Sequence, residues 1–299
     1  MASQSQASNT VGVVGLGLVG TALAGRLRAA GFQMVGFDLR PEARQAFSAS
    51  GATAVESLRA LGAAASRVVL AVFNSADVLA VVEGEAGLAG APGMACIIDC
   101  STGTPEVLKS LTERLEQRGI DFIEAPLSGS SQQIAAGAAT LLLGGQADAL
   151  RRHAKVLDAI AASQIHVGGA GMGAKAKLAT NLVLGLNRAV LAEGMVFAER
   201  LGIAPAQFLA LVLASPATSG AAEAKGRMMV EGDFAPQSRI RQHLKDVELM
   251  LASAAQAGLP LPLSEAHATL MRDAIGAGDG DLDNAALIQQ LRRQRRAPD

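Results

Sequence analysis

A glycine-rich turn between a short apolar run and a helical pattern constrains this chain most strongly. Residues 11–14 read VGVV, which is typical of a strand buried on both faces. They lead into a complete G-x-G-x-x-G, a helical stretch at 21–30 and a second strand at 32–37. In such a unit the glycines allow a tight turn, a close approach of a pyrophosphate to the backbone and close helix packing. The pattern therefore predicts a dinucleotide site formed by Gly15, Leu16, Gly17, Leu18, Val19 and Gly20.

An acidic residue at the end of the second strand indicates which dinucleotide is bound. Asp38 lies 18 residues after Gly20, about where a carboxylate would accept hydrogen bonds from the ribose hydroxyls. A carboxylate there would repel the 2′-phosphate of NADP, so we expect NAD to be preferred. Arg40, two residues further on, keeps NADP possible.

Apolar runs and helical patterns alternate after this unit. We predict strands near residues 52–55, 68–73, 95–99, 122–125, 141–144 and 165–167, with helical patterns between most of them. Such alternation predicts a mostly parallel sheet covered on both faces. After Gly173 the strand signals stop and Ala/Leu-rich helical pattern continues. The predicted fold is α/β: a Rossmann-type domain over residues 1–168 and an all-α domain over 169–299, joined by a long interdomain helix.

Composition excludes several classes of function. The chain has 299 residues, of which half are hydrophobic and 18% are charged, and a net charge of −1. These values indicate a globular protein with a large core and give no electrostatic footprint for nucleic acid or for an acidic membrane. The chain has no Tyr, which excludes any mechanism with a tyrosine general acid. We expect no metal site.

The location of the protein is predicted from its cysteines and its apolar segments. Cys96 and Cys100 are four residues apart on a predicted strand, a separation of about 13 Å that is too long for a disulfide. They indicate buried free thiols in a reducing compartment. The first ten residues are polar without Lys or Arg, so a signal peptide is not expected. No uninterrupted apolar window of membrane-spanning length occurs, and we expect a cytoplasmic protein.

The segment 167–181 carries the strongest chemical signal outside the nucleotide loop. Gly169, Gly171 and Gly173 precede a helical pattern in which Lys177 and Asn181 lie one turn apart on one face. The lysine could give or take a proton, and the amide could hold a carbonyl or hydroxyl oxygen. On these residues alone, an ordinary helix start with a solvated lysine would be favoured.

Two further loops follow predicted strand ends, where ligands of parallel sheets bind. Residues 99–105 read DCSTGTP, and residues 124–131 read EAPLSGSS. A Ser/Gly loop offers N–H groups and hydroxyls to an anion such as a carboxylate. Alternatively, the first loop caps a helix and the second is a simple turn. Lys245 and Asp246 form a pair inside a helical pattern of the second domain, where a lysine is normally solvated.

Together these motifs resemble the β-hydroxyacid dehydrogenases, such as 3-hydroxyisobutyrate dehydrogenase, tartronate semialdehyde reductase and threonate dehydrogenase. The resemblance runs from about Thr10 to Arg292, and the motifs come in the family's order. It implies reversible hydride transfer between a nicotinamide cofactor and a small β-hydroxy acid, or reduction of the matching semialdehyde. It also implies the following residues: Lys177 as general acid/base with Asn181 as its partner, Ser128, Gly129, Ser130 and Lys245 at the substrate, and Phe73, Asn74, Thr102 and again Lys245 at the cofactor.

The sequence departs from the family pattern around the substrate. Ser130 replaces the usual second glycine and is followed by Ser131, while Arg241 and His243 lie within about a turn of Lys245. Unpaired buried polar groups are costly, so we predict a substrate with more hydroxyl or anionic groups than 3-hydroxyisobutyrate. Its identity and the physiological direction of the reaction stay open.

Two functions other than a hydroxy-acid dehydrogenase remain as alternatives. An imine reductase of the same architecture usually lacks the lysine, and a non-catalytic NAD(P)-binding scaffold would not need Lys177 with Asn181.

The helix after Gly173 is apolar well beyond one face, including Val183 and Val190, and is predicted to be buried. As the family commonly does, the helical domain is expected to form a homodimer or homotetramer.

Overall fold

The computed structural model describes residues 9–294, and the chain divides into two compact units, Met1–Lys177 and Leu178–Asp299. Most of the polar N-terminal stretch, on which the signal-peptide prediction rests, lies outside the described residues. A single long helix, Met172–Arg200, joins the two units. The interdomain helix predicted from sequence is thus present.

The described part of the first unit is built on a nine-stranded sheet. The first six strands, β1 to β6, run parallel to one another in the order β3-β2-β1-β4-β5-β6. Strand β8 continues the sheet antiparallel to β6. β7 pairs antiparallel with β8, and β9 pairs parallel with it. This arrangement confirms the Rossmann-type, mostly parallel sheet. The strands are β1 (Thr10–Val14), β2 (Gln33–Phe37), β3 (Thr53–Ala54), β4 (Arg67–Leu70), β5 (Cys96–Asp99), β6 (Asp121–Glu124), β7 (Leu127–Ser128), β8 (Thr140–Gly144) and β9 (Ser163–Gly168).

Both faces of this sheet are covered by helices. Successive side chains of a strand point to opposite faces, so Val11 and Val13 belong to one hydrophobic core and Val14 to the other. Burial on both sides explains why the strands are almost wholly apolar. The helices of the first unit are α1 (Leu18–Ala29), α2 (Pro41–Ala49), α3 (Leu58–Ala64), α4 (Ser75–Glu83), α5 (Pro105–Glu116), α6 (Ser131–Ala135) and α7 (Ala147–Ile160).

Three elements of this unit were not predicted from sequence. α2 is polar and buries only Phe47, so its apolar periodicity is weak. β7 and α6 have two and five residues, too few for a periodic signal. The strand predicted over 68–73 ends earlier, at Leu70, because the N–H of Val72 bonds the hydroxyl of Ser101 instead of a neighbouring strand.

The described residues of the second unit form helices around one apolar core, which confirms the all-helical prediction. The core includes Met195, Met229, Ile240, Val247 and Met271. Besides short 3₁₀ turns, the helices are the remainder of α8 (Met172–Arg200), α9 (Pro205–Leu213), α10 (Gly220–Glu231), α11 (Ile240–Gln256), α12 (Pro262–Gly276) and α13 (Leu287–Arg293).

α8 is less completely buried than its composition predicts. Leu178 and Leu191 are buried, but Val183 and Val190 are 57% and 69% exposed. The prediction that these two valines lie in the core is therefore wrong. Among the described residues α8 alone is long and apolar enough to span a membrane by length and composition, yet Met195 and its neighbours belong to the core of the helical unit.

The division into units falls inside α8. The predicted boundary at residue 168 precedes this helix, whereas the compact units divide after Lys177. The first turns of α8 belong with the sheet because Ala174 lies in one of its two cores.

Candidate active site

Close backbone contacts explain two glycines of the loop between β1 and α1. A Cβ on Gly15, whose φ is +88°, would lie 2.3 Å from the carbonyl oxygen of Ala71. A Cβ on Gly20 would lie 1.7 Å from the carbonyl oxygen of Gly15. At Gly17, the N-cap of α1, the described residues leave the Cβ position open. An open backbone at a helix N-terminus is what a dinucleotide pyrophosphate needs, so the loop fits this ligand.

Asp38 is tied to the same loop. Its carboxylate accepts hydrogen bonds from the N–H of Leu16 at 2.8 Å and from the N–H of Arg40 at 2.9 Å. The guanidinium of Arg40 donates to both carboxylate oxygens at 3.1 Å. Burial raises the pKa of Asp38, but the hydrogen bonds from Arg40 and Leu16 outweigh it, and the pKa lies below its ordinary value. The group is therefore an anion at the tip of β2.

The loops after β4 and β5 are joined to each other by hydrogen bonds. The hydroxyl of Ser101 accepts from the N–H of Val72 at 3.0 Å, and that of Ser75 accepts from the N–H of Thr104 at 2.7 Å. Since β1, β4 and β5 are parallel neighbours, these loops lie at the same edge of the sheet as the glycine loop.

The predicted cofactor residues of these loops lie at that edge. Phe73 is 45% exposed, which is unusual for a phenylalanine. Asn74 caps α4, with its side-chain oxygen accepting from the N–H of Asp77 at 2.9 Å. Thr102 follows Ser101 in the loop after β5. The structure thus brings these residues together with the glycine loop.

A buried carboxylate caps the helix that carries the candidate catalytic lysine. Glu124, at the end of β6, is 1% exposed and accepts from the N–H groups of Gly171 and Ala174, the latter at 2.8 Å. An anion there satisfies two of the N–H groups at the start of α8. Burial raises the pKa of Glu124, while the two backbone hydrogen bonds oppose the rise. Glu124 was not among the site residues predicted from sequence, although a carboxylate at a strand end beside a Ser/Gly loop was a signal.

The start of α8 also lies directly on the sheet. A Cβ on Gly173 would lie 2.8 Å from Cβ of Glu124, and a Cβ on Gly144 would lie 2.5 Å from the nitrogen of Gly173. Both positions therefore need glycine so that α8 can begin against β6 and β8.

Lys177 reaches the predicted substrate loop. Its side chain is buried, and Nζ donates a 2.6 Å hydrogen bond to the carbonyl oxygen of Leu127. Leu127 and Ser128 form β7, so the ammonium lies one residue from the predicted carboxylate-binding serine. The solvated lysine of the alternative interpretation is excluded.

A glycine and a capping box define the conformation of the substrate loop. Gly129 has a φ of +153°, and a Cβ there would lie 2.9 Å from Cβ of Ala139. The hydroxyl of Ser130 accepts from the N–H of Gln133 at 3.3 Å, while the side-chain oxygen of Gln133 accepts from the N–H of Ser130 at 2.8 Å. This capping box begins α6, so the extra serine has a structural role in the loop.

In the second unit, Asn181 and Lys245 meet at one carboxylate. Nδ2 of Asn181 donates to Oδ2 of Asp246 at 3.1 Å, and Nζ of Lys245 lies 3.0 Å from Oδ1. Because an ionised carboxylate only accepts, Asp246 fixes which side of the Asn181 amide is nitrogen. Asp246 was not among the predicted site residues.

The two other residues expected near Lys245 have different surroundings. The guanidinium of Arg241 donates to both carboxylate oxygens of Asp281, at 2.7 and 2.8 Å, and its side chain is half exposed. Its charge is therefore already neutralised at the surface of the helical unit, contrary to expectation. His243 is buried.

The chain is similar to known nicotinamide-dependent dehydrogenases along nearly its whole length. The profile of the NAD binding domain of 6-phosphogluconate dehydrogenase matches residues 10–169, and the NAD-binding profile of NADP-dependent 3-hydroxyisobutyrate dehydrogenase matches residues 171–291. L-Threonate dehydrogenase from Cupriavidus necator is 33% identical over 285 residues, which cover 94% of this chain and 96% of that protein.

Solved structures show the same fold. The crystal structure of 3-hydroxyisobutyrate dehydrogenase from Salmonella typhimurium is 29% identical with a TM-score of 0.84, covering 94% of this chain and 99% of that one. An imine reductase from a Pseudomonas species is 24% identical with a TM-score of 0.63, over 95% and 99% of the two chains, which indicates a shared fold only. The relatives support nicotinamide-linked oxidoreduction of a hydroxy acid. With both profiles matched in order along nearly the whole chain, the protein belongs to the β-hydroxyacid dehydrogenase family that includes 3-hydroxyisobutyrate dehydrogenase.

Proposed function

We propose that this protein interconverts a small β-hydroxy acid and the matching semialdehyde, with Lys177 as the general acid/base. The observation that carries the proposal is the 2.6 Å hydrogen bond from Lys177 to the carbonyl oxygen of Leu127. It holds the side-chain nitrogen beside a Ser/Gly loop suited to a carboxylate.

Lys177 transfers the hydroxyl proton of the substrate, and Asn181 binds the reacting oxygen. The bound nicotinamide supplies the hydride acceptor for oxidation and the hydride donor for reduction. Lys177, as the neutral amine, takes the hydroxyl proton during oxidation and, as the ammonium, returns it during reduction. Asn181, one turn further along α8 and fixed by Asp246, holds the same oxygen.

The substrate carboxylate is assigned to Ser128 and Gly129. The N–H of Ser130 already donates to Gln133, so it is not the donor that the carboxylate uses. Ser130 acts in substrate binding by shaping the loop.

For the cofactor, the open backbone at Gly17 supports a dinucleotide, and the anionic Asp38 supports a preference for NAD over NADP. Phe73, Asn74 and Thr102 are assigned to the same ligand, with Lys245 beside the nicotinamide and the substrate. An imine reductase is less well supported because Lys177 and Asn181 are both present, and the same pair argues against a scaffold without turnover.

We also infer a cytoplasmic homo-oligomer. Cys96 and Cys100 are buried free thiols, which favours a reducing compartment. Val183, Val190 and Phe197 are 57%, 69% and 64% exposed, and their seven-residue spacing places them on one side of α8. Such a stripe is suited to burial against a second copy of the chain.

A substrate panel tests the proposed reaction. The purified protein is mixed with NAD or NADP and with 3-hydroxyisobutyrate, glycerate or threonate, and reduced nicotinamide is followed by absorbance. We expect turnover of at least one hydroxy acid that is lost in Lys177→Ala. Dinucleotide binding without turnover of any hydroxy acid, or of the matching semialdehyde in reverse, would favour the scaffold.

A further inference from the structure

The short helix α6 connects the substrate loop to α1, the helix that begins at the dinucleotide loop. α6 (Ser131–Ala135) begins just after the loop residues Ser128 and Gly129 and packs against α1 (Leu18–Ala29). Isolated helices shorter than about 12 residues are marginal in water, so this short helix depends on the contacts around it. Those contacts therefore determine where the end of the substrate loop lies.

Both ends of α6 are closed by hydrogen bonds within the same segment. The capping box of Ser130 and Gln133 closes its N-terminal end. At the other end, the N–H of Gly137 donates to the carbonyl oxygen of Ile134 at 3.0 Å, and the N–H of Ala138 donates to that of Gln133 at 2.8 Å. These two bonds, with Gly137 at a φ of +73°, are a common helix ending. Gln133 takes part at both ends, so the position of Gly137 is linked to that of Ser130.

Two side chains hold this segment against α1. Ile134 is 2% exposed and belongs to the same hydrophobic core as Leu23 and Leu27 of α1. Arg26 of α1 lies over the turn at Gly137, where a Cβ would be 2.8 Å from Cζ of Arg26 and 2.9 and 3.0 Å from its Nη2 and Nη1. Because these three distances are nearly equal, the flat face of the guanidinium lies against Gly137.

The contact between Arg26 and Gly137 is one of packing. Among the described residues, Nε of Arg26 is buried without a hydrogen-bond acceptor. A guanidinium is planar and weakly hydrated, so its face packs well on backbone that carries no side chain. A cation near the last carbonyl groups of a helix is also favourable. The glycine at position 137 therefore serves both the left-handed turn and the close approach of Arg26.

The strand pairing on the other side of the substrate loop is too short to replace this support. β7 pairs with β8 through two residue pairs, Leu127 with Leu141 and Ser128 with Thr140. Gly129 lies beyond the last of these pairs and, as a glycine, has the most backbone freedom to lose. Its conformation therefore depends on the segment that follows it, which is α6.

We propose that Arg26 is a positioning residue for the binding of the substrate carboxylate. It fixes the C-terminal turn of α6 on α1 and so keeps Ser128 and Gly129 in the conformation that receives the carboxylate. All of these residues belong to the first compact unit. α1 then places the pyrophosphate at its N-terminus and the substrate loop through Arg26. This inference rests on the proposed function, since the carboxylate is assigned there to Ser128 and Gly129.

Steady-state kinetics with a hydroxy acid that the enzyme turns over test this role. Arg26→Ala should raise the KM for the hydroxy acid roughly tenfold and leave kcat within about twofold, because a carboxylate contact is made equally in the ground and transition states. The KM for the dinucleotide should not change. Arg26→Lys, which keeps the charge but not the planar face, should be intermediate.

Arg28→Ala is the matched control. Arg28 is an exposed arginine of the same helix, and its side chain donates to the carbonyl oxygen of Ser50. This variant should keep the wild-type KM for the hydroxy acid. An unchanged KM in Arg26→Ala would overturn the proposal, as would a loss confined to kcat, which is what a smaller folded fraction produces.

A double-mutant cycle tests whether Arg26 acts through Gly137. Gly137→Ala should also raise the KM for the hydroxy acid, because the new Cβ strains the left-handed turn and displaces the guanidinium. If both substitutions break the same contact, the increase in KM of the double variant should be clearly smaller than the product of the two single increases. Increases that multiply would show that Arg26 acts independently of Gly137 and overturn the proposal.

Hydrogen exchange separates the role of Arg26 from the proposed reaction. In the unliganded protein, the amides of Gly137 and Ala138 should exchange at least about tenfold faster in Arg26→Ala than in the wild type, because their N–H groups close the turn that Arg26 covers. Exchange in α7 (Ala147–Ile160) should not change. Equal exchange of the two amides in both proteins would overturn the proposal. If no hydroxy acid is turned over, the proposed function fails, and the exchange measurement still decides whether Arg26 holds the loop.

Discussion

The carboxylate of Glu124, at the end of β6, accepts a 2.8 Å hydrogen bond from the backbone N–H of Ala174 in the first turn of α8. The same carboxylate accepts from the N–H of Gly171. Lys177 follows Ala174 by one turn of the helix. The position of Lys177, the candidate acid/base, therefore depends on the buried carboxylate of Glu124, which lies far from it in the sequence.

Glu124→Gln should reduce stability at neutral pH by about 1–3 kcal/mol, because the amide NH₂ cannot accept the second backbone hydrogen bond. The pKa of Glu124 is raised above its ordinary 4.5 by burial. From about pH 4.5 up to the raised pKa, the folded state binds more protons than the unfolded state, so the free energy of unfolding falls as pH rises. The stability advantage of the wild type over the variant should thus shrink through this window and level off above it, as measured by urea unfolding at a series of pH values. Glu116→Gln, at an exposed position of α5, serves as the control, and an advantage that grows with pH would contradict the assignment.

Lys177→Ala should lower kcat by roughly two to four decades, the usual share of general acid–base catalysis. Its affinity for the dinucleotide, measured by calorimetry, should stay within a few-fold of the wild type. Lys175→Ala is a matched control, since Lys175 is exposed on the same helix two residues away. Equal losses of affinity and turnover in Lys177→Ala would indicate a structural lysine.

Asp38→Asn should shift cofactor preference toward NADP. The substitution removes the anion that pairs with Arg40 and releases a guanidinium for the 2′-phosphate. We expect the ratio of kcat/KM for NAD to that for NADP to fall at least tenfold, where each tenfold step is about 1.4 kcal/mol. A wild-type enzyme that uses NADP as well as NAD would show that Asp38 does not select the cofactor.

Val190→Glu should dissociate the expected oligomer. It places a charge in the exposed apolar stripe formed by Val183, Val190 and Phe197, where burial without a partner is costly. Leu263→Glu, at an equally exposed position on α12 (69% exposed), is the control. Light scattering at micromolar concentration measures the mass, and a monomeric wild type would remove the basis for this prediction.

The sequence predicted features that depend on local periodicity and on strand ends. The turn at Gly15 to Gly20, the α/β alternation and the helical second half are all of this kind. The capping box of Ser130 and Gln133 is also local, because an S-x-x-Q pattern indicates a helix start, and the short helix α6 begins there.

Other features depend on pairings that no local pattern encodes. β7 exists because Leu127 and Ser128 pair with β8, and without β7 the hydrogen bond of Lys177 to Leu127 has no predictable geometry. The surface ion pair of Arg241 with Asp281 joins residues 40 positions apart.

The three glycines before Lys177 are not equivalent, and this affects how related enzymes should be searched for and engineered. Gly171 has a φ of +83°, and Gly173 has no room for a methyl group, whereas a Cβ on Gly169 would meet no atom within 4 Å. A saturation library should therefore tolerate many residues at position 169 and almost none at position 173. A search pattern that weights the three glycines equally would discard functional relatives that carry a side chain at the first of them.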